Sequence, residues 1–93
     1  MTLDWQMRPR RATGIEIREV PDGYVVYDAQ DGRLHYLNAT AALLLEASDG
    51  KLTASELCAL LTEAFDLDTA PVGEVETCLS RLLAEGLLLQ APG

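Results

Sequence analysis

The segment Gly32-Arg33-Leu34-His35-Tyr36-Leu37-Asn38-Ala39-Thr40-Ala41 decides the fold, because a strand changes into a helix within it. Arg33 to Leu37 alternate with period two, which sets Leu34 and Tyr36 on one face and Arg33, His35 and Leu37 on the other. Asn38 is a good N-cap, and the residues after it take up a helical run from Ala39 to Ala47 that stops at Ser48-Asp49-Gly50.

Upstream, Ile15-Glu16-Ile17-Arg18-Glu19-Val20 alternates in strand fashion before the turn chemistry of Pro21-Asp22-Gly23. Tyr24-Val25-Val26-Tyr27 is β-branched and aromatic, and Asp31-Gly32 supplies the hairpin turn that leads into Arg33. Three strands in a meander are expected. Downstream, Thr53 and Glu56 have the spacing of a capping box, which opens a helix running from about Ala54 to Phe65 with an apolar stripe of Leu57, Leu60, Leu61 and Ala64. Pro71 is suited to the first turn of a third helix, ending near Ala84 with Gly86 as its left-handed cap. Its stripe is Val72, Val75, Leu79, Leu82 and Leu83. Leu87 to Leu89 pack back as an extended segment, and Ala91-Pro92-Gly93 reads as a frayed end. The expected fold is therefore α+β and winged-helix-like: a three-stranded antiparallel sheet followed by three helices. Residues 15–90 form the domain, and residues 1–14, with Pro9 and three arginines but no sustained period, form a flexible N-terminal arm.

The 93 residues fit one domain. Fifteen acidic residues against seven basic ones give a net charge of −8, which opposes binding to a phosphate backbone. No apolar run approaches the roughly 20 residues that a transmembrane helix needs, and Met1 to Arg11 lacks the layout of a secretory signal. The expected address is the cytoplasm, with neither nucleic acid nor membrane as partner. Cys58 and Cys78 sit in helical apolar patterns and read as reduced, packed thiols.

No arrangement for catalysis or cofactor binding is legible. His35 has no second histidine or cysteine beside it, as a metal site or dyad would require. The aspartates fall in turns and near helix ends, where capping accounts for them. Asp66 and Asp68 lack the glycine of a calcium loop, and phosphate loops and nucleophile elbows are absent. The chain is expected to be a binding module: not an enzyme, with no cofactor and no metal of its own.

The ordered set of Gly32 to Ala41, Asp49-Gly50, Thr53, Glu56-Leu57, Phe65, Leu82-Leu83 and Gly86-Leu87-Leu88 resembles the PqqD family over roughly Ile15 to Leu89. One departure is Leu43-Leu44-Leu45, where many members carry tryptophan or another large residue, so the subfamily stays open. The resemblance implies a peptide chaperone of the recognition-element type used in making pyrroloquinoline quinone, lasso peptides and other modified peptides. The leader of a ribosomally made precursor would add as a strand beside Arg33, Leu34, His35, Tyr36 and Leu37. It would lie against the third helix at Cys78, Arg81, Leu82 and Glu85, the alternative flank being Glu76, Ser80 and Leu83. A modifying enzyme of the radical-SAM class would be the second partner. Taken singly, Leu34, Tyr36, Leu79 and Leu82 are explained by core packing. Two other readings stand beside this one. A winged-helix DNA-binding regulator would need a basic third helix, but Ala70 to Gly86 carries one arginine and three glutamates. In a self-associating module or homodimer, the strand edge would pair with its own copy.

Overall fold

The computed structural model describes residues 3–91 and orders them as β1 (Arg8–Arg11), β2 (Ile15–Val20), β3 (Gly23–Asp28), β4 (Arg33–Leu37), α1 (Ala39–Ala47), α2 (Ala54–Ala64), α3 (Val72–Ala84) and β5 (Leu88–Ala91). The expected α+β meander is present: β2, β3 and β4 form an antiparallel sheet in that order, and three helices follow. Two further strands frame them. β1 pairs antiparallel with β5, Arg8 opposite Ala91 and Arg11 opposite Leu88, in a second, two-stranded sheet.

This corrects the expected arm over residues 1–14. Pro9 is fully buried, Leu3 and Met7 belong to the core, and β1 is held on its other side by the loop after α1. There the Gly50 amide donates to the Pro9 carbonyl at 2.9 Å and the Arg11 amide to the Ser48 carbonyl at 3.0 Å. An inward-pointing proline and flanking arginines satisfy no alternation rule. The frayed end is corrected as far as it is described: Ala91 pairs with Arg8, while Pro92 and Gly93, like Met1 and Thr2 of the arm, lie outside the described residues.

The caps act as their residue types dictate. Asn38 accepts from the Ala41 amide at 2.8 Å, and Thr53 and Glu56 form the reciprocal capping box. α3 starts one residue after Pro71 without a side-chain cap, and Gly86 takes φ +76° after its end. Gly23 has φ +146°, and a Cβ there would lie 2.9 Å from the Leu37 carbonyl oxygen, so the turn into β3 admits only glycine.

The core lies between the β2–β4 sheet and the helices, with Leu44, Leu45, Leu57, Leu61, Val75, Leu79, Leu82, Leu87, Leu88 and Val26 fully buried. Three expected stripe positions leave it: Leu60, Val72 and Ala64 are exposed, and Ala54 and Cys58 occupy the inward face of α2 instead.

Candidate functional site

β4 is an edge strand, paired with β3 through Val25–Tyr36, Val26–His35 and Tyr24–Leu37 and, among the described residues, with no strand on its other side. Its inward face carries Leu37, which is buried, and His35, whose side chain is 12% exposed. Leu34 and Tyr36 point the other way and are 58% and 74% exposed, so core packing does not explain them. The simpler role expected for these two residues is thereby corrected. Leu79 and Leu82 do pack in the core.

α3 runs back past β4 and the start of α1, leaving a groove of about 440 Å³ between them. Leu37, Ala41 and Leu82 give it an apolar floor, Tyr36 and Thr40 stand on one side, and Glu74, Thr77, Cys78 and Arg81 line the helix wall. The groove thus follows the Cys78 flank of α3, and Glu76, Ser80 and Leu83 are not part of it. Of the residues expected at the site, Tyr36, Leu37, Cys78, Arg81 and Leu82 come together here. Arg33 is exposed on β4, and Leu34 belongs to a shallow hollow on the outer sheet face with Val25 and Tyr27. His35 and Glu85 meet beside the groove: His35 Nδ1 lies 3.6 Å from Glu85 Oε2, and Arg81 Nε lies 3.6 Å from Glu85 Oε1. His35 therefore links β4 to the end of α3. Its Nε2 is buried without a hydrogen-bond partner among the described residues.

Asn38, Thr40, Ala41, Gly73 and Thr77 also line the groove, although the sequence reading gave them no place in the site. For Gly73 and Thr77 the signal is spacing alone: Gly73, Thr77 and Arg81 repeat every four residues, as do Glu74, Cys78 and Leu82, which marks one face of α3. Gly73 differs from Gly23, since a Cβ there would meet nothing within 4 Å.

Chemically, the groove offers a free strand edge, an apolar floor and a rim of mixed charge. Burial pushes the Cys78 thiol above its ordinary pKa; Arg81 opposes the shift, and Glu74 and Glu85 reinforce it. Cys78 is thus held as the neutral thiol, the poorer nucleophile. Both cysteines are free. Among the described residues, no group of three or more His, Cys, Asp or Glu side chains gathers into a metal-binding cluster, and no helix is long and apolar enough to cross a membrane.

The family model for coenzyme PQQ synthesis protein D (PqqD) matches residues 23–88, which run from β3 into β5 and contain the groove. No curated protein matches the sequence. Among solved structures, lasso peptide synthetase B1 complexed with the leader peptide is similar in fold, with a TM-score of 0.69 and 20% identity, over 88% of this chain and 98% of that one.

Proposed function

The chain belongs to the PqqD family, and from that membership we propose that it binds the leader of a ribosomally made precursor peptide and presents it to a modifying enzyme. The observation that carries the reading is the groove itself, an unpaired edge of β4 standing beside a concave, apolar-floored face of α3. An extended peptide on that edge satisfies amide and carbonyl groups that otherwise face water, and its alternate side chains point toward α3. Main-chain bonds provide affinity for any strand, and the groove's lining selects among leaders. The solved B1 structure of similar fold contains a leader peptide.

In this reading, Arg33 to Leu37 contribute the edge, Cys78, Arg81 and Leu82 contribute the helix wall, and Glu85 holds Arg81 and His35 in place. The protein does no chemistry of its own and carries no cofactor, and the modification is made by its partner, an enzyme of the radical-SAM class. It works in the cytoplasm. Calorimetric titration with leaders of precursors encoded beside the gene, against scrambled leaders, tests the reading. Micromolar or tighter binding that depends on sequence is expected, and Arg81→Glu should weaken it while leaving the fold intact, since Arg81 is largely exposed. Binding of scrambled and true leaders alike would refute the assignment of specificity to the groove.

A further inference from the structure

Four of the chain's seven basic residues, Arg8, Arg10, Arg11 and Lys51, lie within β1 and the loop that follows α1, on a protein of net charge −8. The backbone assembles them. Arg8 Nε donates to the Lys51 carbonyl at 3.2 Å, Arg11 donates to the Glu46 carbonyl, and the backbone of Arg10 pairs with that of Asp49 in an isolated antiparallel β-bridge. All four are exposed, and among the described residues none forms an ion pair. Two nearby carboxylates take backbone hydrogen bonds. Asp49 accepts from the amides of Lys51 and Leu52, at 2.8 and 3.2 Å, and Glu56 accepts from the Thr53 amide at 2.9 Å. Asp49 and Glu56 feel the charges of Lys51 and Arg8, but among the described residues no carboxylate comes within ion-pair distance of any of the four cations.

We propose that Arg8, Arg10, Arg11 and Lys51 form a docking patch for an acidic surface of the modifying enzyme. The proposal rests on the leader-binding reading only for the identity of that partner. Three features favour a protein surface over a longer polyanion. The patch is small, and beyond it the chain's excess of carboxylates repels an extended phosphate backbone or an anionic bilayer. Leu89 lies opposite Arg10 in the β1–β5 pair and is 40% exposed, giving the arginines an apolar neighbour of the kind found in protein interfaces. The patch is also separate from the leader groove. Asn38 and Ala41, at the start of α1, line the groove, while Ser48, at its end, bonds to Arg11. A helix of this length puts about 13 Å between them, so leader and enzyme can be held at once.

The test uses Arg10→Glu/Lys51→Glu, since neither side chain makes a hydrogen bond within the described structure, and Arg10→Lys as the charge-preserving control. The probes are the leader peptide and the purified modifying enzyme encoded beside the precursor, each titrated alone. The double variant should bind leader as the wild type does and bind enzyme at least about tenfold more weakly. Wild-type affinity for enzyme should fall as salt is raised from about 50 to 300 mM, while the double variant responds little. Arg10→Lys should behave as wild type. Enzyme affinity within about twofold of wild type in the double variant overturns the patch. So does wild-type binding to a short DNA duplex or to phosphatidylserine vesicles that the double variant loses. Failure of the wild type to bind any leader overturns the leader-binding reading instead, and the enzyme titration still reports on the patch.

Discussion

Replacing Gly73 by alanine should make the protein more stable and worse at its proposed task. Gly73 sits in the first turn of α3 without a positive φ, and a Cβ there meets nothing within 4 Å, so the native backbone accepts alanine without strain. Restricting the unfolded chain at such a position stabilises by about 0.4–1 kcal/mol, which for a domain of this size raises Tm by about 2–6 °C. The added methyl projects from a wall of the groove. If the leader packs closely against the start of α3, crowding it should cost about 1–3 kcal/mol, a loss of affinity from roughly fivefold to a hundredfold. Thermal unfolding and calorimetric titration of the same preparation measure both quantities. A raised Tm with unchanged leader affinity would show that the leader does not reach this part of the groove. A lowered Tm would refute the view that the fold leaves this position unconstrained.

The other glycine should respond in the opposite way: Gly23→Ala forces a Cβ against the Leu37 carbonyl at a φ that alanine avoids, and should destabilise by about 2–3 kcal/mol in denaturant titration. Thr53→Ala removes half of the α2 capping box and should cost about 1 kcal/mol. Hydrogen bonds from the Thr53 amide and hydroxyl hold the Glu56 carboxyl below the ordinary glutamate range. Its contribution is therefore present above the unfolded-state pKa and is lost as pH falls through the lower folded-state value, so the wild-type advantage over Glu56→Gln should shrink in acid titrations of stability. Cys78 should react slowly with a maleimide at neutral pH and faster as pH rises, because burial raises its pKa. Bound leader should slow that reaction further, measured by mass in a Cys58→Ser background; labelling indifferent to leader would exclude Cys78 from the contact.

What the sequence made legible was local. Asn38, the Thr53–Glu56 pair and Gly86 act through bonds to residues a few positions away, and the helices begin and end where those residues require. The β1–β5 pair was not legible, because the partners stand at opposite ends of the chain and Arg8-Pro9-Arg10-Arg11 has no apolar alternation to announce a strand. Alternation in β4 separated two faces correctly but could not say which one is inward. Leu34 and Tyr36 look like core residues, yet the sheet turns His35 and Leu37 toward α3. At the candidate site, charged and sulfur-bearing residues of α3 drew attention, while Gly73, Thr77 and Ala41 passed unnoticed because they shape the groove by being small.

The pairing of Arg8 with Ala91 also bears on how such a module can be carried by a larger polypeptide. Arg8 and Ala91 stand side by side, but the chain ahead of Arg8 stays within the fold, with Met7 and Leu3 in the core and the Leu3 amide donating to Glu76 Oε2 of α3 at 3.3 Å. A host chain would therefore enter beside Glu76, which does not line the groove, and leave after Ala91, so that fusion leaves the β1–β5 pair intact and the peptide edge open.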